Sequence, residues 1–331
     1  MHQKLLSLLR CPQTGETLTE VDGRSLVNQS GTHRYPVLHG IPDFRHFDPP
    51  YMTRQEESDA ADRIAEASRD MDYDALIEFF ERKIFPHPRP AAKIDASIEH
   101  RRSLAIRSPS RLESLLDITA RQALPKGVTL DLGCGSGEAC AALKQRGAAM
   151  TVGLDISLVE LMLAKKLLAE KGEEAYLVAG CAEALPFASE SLDFIYSPDV
   201  IEHVSDQSAY LSEAQRALKP GGNLLLNSPN RFSIVSPEPH IGVWFFGFLP
   251  RAAMDPVCKL LGKGGYIGKR LISLNELRAI LDRTFPKHRI EYRRSNPQSH
   301  SLPGKVFFAT RAVAEPAFSY VCDQHIIITT K

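Results

Sequence analysis

Three glycines and two carboxylates hold the clearest chemistry in this sequence. Asp131 stands near the end of a short apolar run, Val128 to Leu132. Gly133, Gly135 and Gly137 alternate after it, with Cys134 and Ser136 between them. Glycine at that spacing lets the backbone turn sharply and approach a ligand without Cβ atoms in the way. Helix-forming residues resume at Glu138, and a second apolar run beginning at Met150 ends in Asp155. The separation suits a strand–helix–strand unit whose final acid accepts hydrogen bonds from both hydroxyls of a ribose. A nucleotide-like cofactor is therefore predicted, the bland alternative being a tight strand-to-helix turn. Two histidines, His203 beside Glu202 and His240 at the end of Pro237-Glu238-Pro239-His240, are the candidates for acid–base work near neutral pH.

Glycine spacing separates the cofactor classes. A dinucleotide loop reads G-x-G-x-x-G, the last glycine packing helix on strand. Here the pattern is G-x-G-x-G, and Cys140 occupies the position that would close a dinucleotide pattern from Gly135. Three later segments follow in order: Gly180 to Phe187, Ser191 to Ser197 with Val200-Ile201-Glu202-His203-Val204 behind it, and Leu218-Lys219-Pro220-Gly221-Gly222 leading into Asn223 to Leu226. Together the four motifs resemble the class I S-adenosylmethionine-dependent methyltransferases (methyltransferase type 11) over Thr129 to Asn230. The resemblance implies S-adenosylmethionine as cofactor, with Asp131 and the backbone of Gly133, Cys134, Gly135, Ser136 and Gly137 around its methionine part. It further implies Asp155 on the ribose, Ile156 on adenine, Cys181, Ala182 and Glu183 along the adenine edge, and Ser197 nearest the methyl-transfer end. Many relatives carry an acid where Cys181 stands, and cysteine is a poor acceptor, so Glu183 is a candidate to compensate.

Around these motifs, strand and helix alternate from residue 125 to about Asn230, as in a parallel sheet, and the last two strands follow at Ile290 to Arg293 and His325 to Thr330. The expected fold is α/β: a Rossmann-like, seven-stranded, mostly parallel sheet with an antiparallel last strand, plus a small N-terminal β module and a helical cover. Residues 1–48 resemble the zinc-ribbon-like modules that accompany some methyltransferases. An ordinary zinc site needs four ligands in paired spacings, whereas Cys11 is alone and His33 and His39 are distant, so a metal-free module is expected and no metal site is assigned. Residues 49–124 read as a helical linker and cofactor cover: a helical run from Thr53 to Phe85, prolines at 86, 88 and 90, and a second run from Ala91 to Leu124. Within the second, Ser110-Arg111-Leu112-Glu113 matches a capping box and predicts a helix start. Ser157 and Ser273 are expected to cap later helices.

The stretch 231–270 breaks the alternation. Trp244, Phe245, Phe246 and Phe248 crowd into it, and Trp244, Phe245 and Phe248 are the expected substrate-binding residues of a lid, with a packed subdomain as the alternative. His240 at its root, with His203, is the expected catalytic pair.

Composition limits the function classes. The chain has 331 residues, 43% hydrophobic and 24% charged, with 40 basic residues against 40 acidic ones. That balance gives no global attraction to nucleic acid, so no nucleic-acid partner is expected. A basic stretch, Arg251 to Arg294, leaves contact with an anionic substrate or membrane surface open. Six scattered cysteines and no apolar run near about 18 residues point to a reduced, cytoplasmic protein with no transmembrane segment. The expected activity is methyl transfer to a small-molecule acceptor (a secondary metabolite, sugar or lipid-like compound) at oxygen or carbon. An RNA or protein methyltransferase and a non-catalytic binding subunit of the same fold are the alternatives. Acceptor identity and oligomeric state are not written in the sequence.

Overall fold

The computed structural model describes residues 2–49, 52–85, 88–118, 127–292 and 319–331. The sequence readings at Pro50, Pro86, 119–126, Arg293 and Arg294 fall outside these residues. Helix α1 (Gln3–Leu8) precedes strands β1 (Leu18–Val21), β2 (Ser25–Asn28), β3 (Arg34–Leu38) and β4 (Ile41–Pro42), which pair antiparallel in sequence order. Asp22 and Gly23, both at positive φ (57° and 69°), reverse the chain between β1 and β2.

The helical cover follows. Helix α2 (Arg54–Ala67) starts at Thr53 with a reciprocal capping box to Glu56. Helix α3 (Tyr73–Phe79) runs on into one π-helical turn, Phe80–Ile84. Helix α4 (Ala91–Ile118) continues straight through Pro109. The capping-box reading at Ser110 is therefore corrected: its hydroxyl donates back to the Arg107 carbonyl at 2.9 Å, a bond a mid-helix serine makes.

The large sheet contains β5 (Val128–Leu132), β6 (Met150–Asp155), β7 (Tyr176–Ala179), β8 (Leu192–Pro198), β9 (Leu218–Pro229), β10 (His288–Tyr292) and β11 (Gln324–Thr330). Its order is β10-β11-β9-β8-β5-β6-β7, with β11 antiparallel to both neighbours and the other pairs parallel. This is the expected seven-stranded Rossmann-like sheet. Helices α5 (Glu138–Gln145), α6 (Leu158–Lys171), α7 (Gln207–Ala217), α8 (Arg251–Leu260) and α9 (Leu274–Thr284) connect and flank it. Ser157 and Ser273 cap α6 and α9 as their sequence contexts predicted. Asp193 fixes the sheet rather than a ligand: it accepts from the Val128 N–H at 2.7 Å and pairs with Lys219.

The order of connection reverses at β5, between β6 and β8, and that reversal opens a crevice at the strands' carboxyl ends. The N-terminal sheet shares a core with the large one, because Leu5, Leu9, Leu26 and Phe44 pack in the same buried cluster as Leu132, Val178 and Phe187. Phe44 N–H also bonds the Ala179 carbonyl at 2.8 Å, so the chain after β4 continues the edge beyond β7. Among the described residues no helix is long and apolar enough to cross a membrane.

Candidate active site

A cavity of about 630 Å³ occupies the crevice at the strand reversal. Leu132 and Gly133, where the chain leaves β5, line it, whereas Cys134 to Gly137 do not. Gly133 sits at φ 77°, and a Cβ there would lie 2.3 Å from Val200 Cγ2, so both its conformation and its surroundings require glycine. The loop is anchored to the neighbouring strand through the Gly133 and Cys134 N–H groups, which donate to the Leu154 carbonyl at 2.8 and 3.1 Å. Asp155 completes the anchoring: it accepts from Gly135 N–H at 2.8 Å and from Ser157 N–H at 2.9 Å while facing the cavity. Burial pushes its carboxyl up to about 6, the two N–H bonds opposing the rise and Glu160 and Glu57 adding to it.

Several cofactor-loop residues turn inward. Asp131 is buried and accepts from the Cys140 thiol at 3.3 Å, while its Oδ1 meets no partner in the protein. Burial raises its carboxyl to about 7, with the charges of Glu138 and Asp155 in the same direction. The Cys134 thiol lies well above its ordinary value through its bond with Cys140 and burial, which makes it a packing residue. Ser136 donates to Glu160 at 2.8 Å, and Glu160 is held by Arg101 from α4. The helices before β5 thus reach the glycine loop through Arg101, and Tyr73 of α3 donates to Glu138 just beyond it at 3.1 Å.

Along the adenine side expected from the sequence, Ile156, Ala182 and Glu183 line the cavity. Cys181 does not. Its sulfur is buried and accepts the His46 N–H at 3.4 Å, so the thiol is used to seat the N-terminal module. Ser197 likewise lies off the cavity: it is fully buried, donating to the Leu132 carbonyl at 3.0 Å and accepting from Tyr210 at 2.8 Å. Glu183 accepts from the Ser205 N–H and hydroxyl at 2.7 and 2.9 Å.

The catalytic candidates come together from distant segments. His203 lines the cavity, and its Nε2 lies 3.3 Å from the Nε2 of His240. His240 is oriented by Glu238, which contacts its Nδ1 at 2.6 Å and also accepts from Tyr266 at 2.8 Å and from the Ile241 N–H at 2.8 Å. Burial alone would raise the Glu238 carboxyl, but the His240 and Tyr266 bonds outweigh it and hold it low. His203 is lowered by burial, by His240 and by Lys269, against a bond to the Gly268 backbone. Glu202 is 1% exposed, and burial together with the nearby Asp199 charge raises its carboxyl strongly.

The aromatic residues do not join them. Trp244, Phe245 and Phe248 are 40%, 54% and 50% exposed, and none lines the cavity. Phe246 alone is buried, against Tyr266. The buried positions around this segment went to Phe246, Ile241 and, from α8, Met254, leaving the other rings outside.

Other wall residues carried no motif, although Lys269 and Arg270 belong to the basic stretch noted in the sequence. Phe47 and Asp48 bring the end of the N-terminal module to the cavity, and Gly268, Lys269 and Arg270 close it from the far end of the 231–270 insertion. Asp199 lines it at φ 52°, a conformation costly for a non-glycine residue, held by an ion pair to Arg111 and a 2.6 Å bond from Asn227. Behind the wall, buried Arg45 joins Asp43, Glu57 and the Ile156 carbonyl, and Glu57 in turn accepts from Ser157 and Leu158. An arginine from the module therefore braces the segment that follows Asp155.

Residues 130–226 match the family described as a methyltransferase domain. A ubiquinone biosynthesis O-methyltransferase of Parvibaculum lavamentivorans is 34% identical over 154 residues, which is 45% of this chain and 54% of that protein. The enzyme of the same name from Brucella anthropi is 35% identical over 102 residues, 31% of this chain and 41% of that one. The chain thus spans about half the length of the curated relatives it matches. An S-adenosylmethionine-dependent methyltransferase structure from Mesorhizobium loti is 20% identical, with a TM-score of 0.47 over 65% of this chain and 96% of that one. Over residues 130–226 the chain is thus similar to methyltransferase domains.

Proposed function

We propose that the protein transfers the methyl group of S-adenosylmethionine to a hydroxyl of a small-molecule acceptor. The observation that carries the reading is the 630 Å³ cavity, lined by Gly133 at the start of the glycine loop and by Asp155. That volume is in the range of a pocket for one small ligand plus part of another. The cofactor's ribose lies against Asp155, its adenine against Ile156 and Ala182, and its methionine part along the loop at Gly133. The acceptor approaches from the side of His203 and Asp199. The names of the ubiquinone-biosynthesis relatives support oxygen as the atom methylated.

Methyl transfer is an in-line displacement. The acceptor oxygen's electron pair forms the bond to the methyl carbon, the carbon–sulfur bond breaks, and its pair returns to sulfur to give a neutral thioether. The sulfonium carries the driving force, so the protein's contribution is alignment, exclusion of water and removal of the hydroxyl proton. His203 and His240 are the groups placed to assist that proton's departure, with Glu238 holding the second ring in one orientation.

The test is a screen of hydroxyl-bearing acceptors with S-adenosylmethionine labelled in its methyl group, with products located by mass spectrometry. An O-methyl product together with S-adenosylhomocysteine is the expected result. Tight NAD binding with no S-adenosylhomocysteine binding by calorimetry would end the cofactor assignment. Label found only on RNA or protein would move the acceptor class.

A further inference from the structure

The acceptor end of the cavity holds an electrostatic arrangement that the protein alone does not satisfy. The Glu202 carboxylate is buried, and its Oε2 meets no hydrogen-bond donor. A buried carboxylate oxygen without a partner costs free energy that folding must recover elsewhere, so such an atom calls for an explanation. Beside it, the Nε2 atoms of His203 and His240 face each other at 3.3 Å. The Nδ1 of His240 lies 2.6 Å from the Glu238 carboxylate and carries its proton, so its Nε2 presents a lone pair toward His203. The ligand atoms of Glu202, His203 and His240 all lie within 4.8 Å of one another, the one such group among the described residues.

We propose that Glu202, His203 and His240 bind one divalent transition-metal ion, which then takes the acceptor's hydroxyl oxygen as a further ligand. Four features support the assignment. Two nitrogens about 2.0–2.1 Å from a shared tetrahedral ion are about 3.3 Å apart, the separation found between the two rings. The unsatisfied Glu202 oxygen supplies the anionic ligand. Glu238 holds the distal nitrogen of His240, as carboxylates behind metal-bound histidines do, and Glu238 is itself fixed by Tyr266 and backbone N–H groups. Finally, three protein ligands leave coordination positions open, and His203 opens on the cavity that receives the acceptor. Of the nearby cations, Arg111 is committed to Asp199, and Lys269 shares the cavity wall with His203 without a hydrogen bond to Glu202 Oε2.

A two-imidazole, one-carboxylate donor set selects zinc, cobalt, manganese or iron over magnesium or calcium, which prefer oxygen. The role given to the ion rests on the hydroxyl reading above. The metal-bound hydroxyl loses its proton to water more readily, and the resulting oxygen attacks the methyl carbon as sulfur leaves. In this form the histidine pair activates the acceptor by holding a Lewis acid. It also replaces the expectation of a protein without a metal site. The competing occupant of the gap is a proton shared between the two rings.

The experiment uses full-length protein stripped with a chelator, then titrated with cobalt(II) and followed by visible absorption. Wild type, Glu202→Gln, Glu238→Gln and His240→Gln are compared, each checked by circular dichroism and by S-adenosylhomocysteine calorimetry. One cobalt ion per chain with nitrogen- and oxygen-type ligand-field bands is expected. Glu238→Gln should weaken it by about 10–100-fold, and the two ligand variants by more. No stoichiometric cobalt in wild type, equal affinity in folded ligand variants, or a thiolate charge-transfer band would overturn the proposal. S-adenosylhomocysteine binding in the same samples separates the two readings. Its loss in wild type counts against the methyltransferase reading, whereas its survival without cobalt counts against the ion alone.

Discussion

The two ends of the cavity are built in different ways. The end proposed for the cofactor comes from one strand–helix–strand unit: the Gly133, Cys134 and Gly135 N–H groups tie the loop to β6 and to Asp155, whose side chain joins the wall. The acceptor end is side chains from three segments, the turn after β8, the start of the 231–270 insertion and its final residues. The first end depends on loop geometry fixed by bonds within that unit and on the Asp155 carboxylate. Side-chain recognition depends on each group and on whatever orients it. Substitutions at one end should therefore alter cofactor binding, and those at the other should alter turnover.

The sharpest test of that separation is His240→Ala. Loss of a group that assists proton removal costs about 10²–10⁴ in turnover, while affinity for S-adenosylmethionine should stay unchanged. Calorimetry beside steady-state kinetics measures both, and a matching loss of cofactor affinity would break the comparison.

Arg45→Ala tests the brace behind the cofactor end. It strands Asp43 and Glu57 as buried, uncompensated carboxylates, and breaking such a set costs about 3–5 kcal/mol. Chemical denaturation should show the loss. A stability within about 0.5 kcal/mol of wild type would mean that the N-terminal module contributes no strength to this wall.

Asp155→Ala should weaken S-adenosylmethionine binding by about 1.5–3 kcal/mol with little effect on the turnover of enzyme saturated with cofactor. A pH dependence accompanies it. The ribose hydroxyls donate to the ionised carboxylate, and the free protein's Asp155 titrates at about 6. Cofactor affinity should thus be full above that pH and decline as the pH falls through it, a decline absent from the alanine variant.

The smallest effect is expected at Trp244→Ala. Its ring is 40% exposed and off the cavity wall, so acceptor binding should change by less than about 0.5 kcal/mol. A tenfold rise in acceptor KM would show that the insertion closes over the cavity during turnover.

The histidines show how far the site could be read from sequence. Both were recognisable as groups of suitable chemistry, but 37 positions separate them, and no local spacing predicts that their rings meet. Ser197 and Cys181 show the converse. Their positions in the motif order were legible, yet each side chain was claimed by packing, one by Tyr210 and one by the His46 N–H. The reading at Ser110 failed because a capping box records only local preference, and the packing of α4 on α5 through Leu112 and Leu115 kept the helix whole.

The sequence by itself determined the alternating strand and helix order, the glycine loop and the acid at the end of β6. These depend on periodicity, positive φ and a fixed short spacing, all local properties of the chain. Tertiary structure decided the rest: Phe47 and Asp48 on the cavity wall, Arg45 behind it, the exposed aromatic rings, and Glu202 buried beside two histidines. Each of those depends on which surface meets which after folding. Burial also sets whether a carboxylate or imidazole there finds a partner, so the chemistry of the acceptor end was fixed only when the segments packed together.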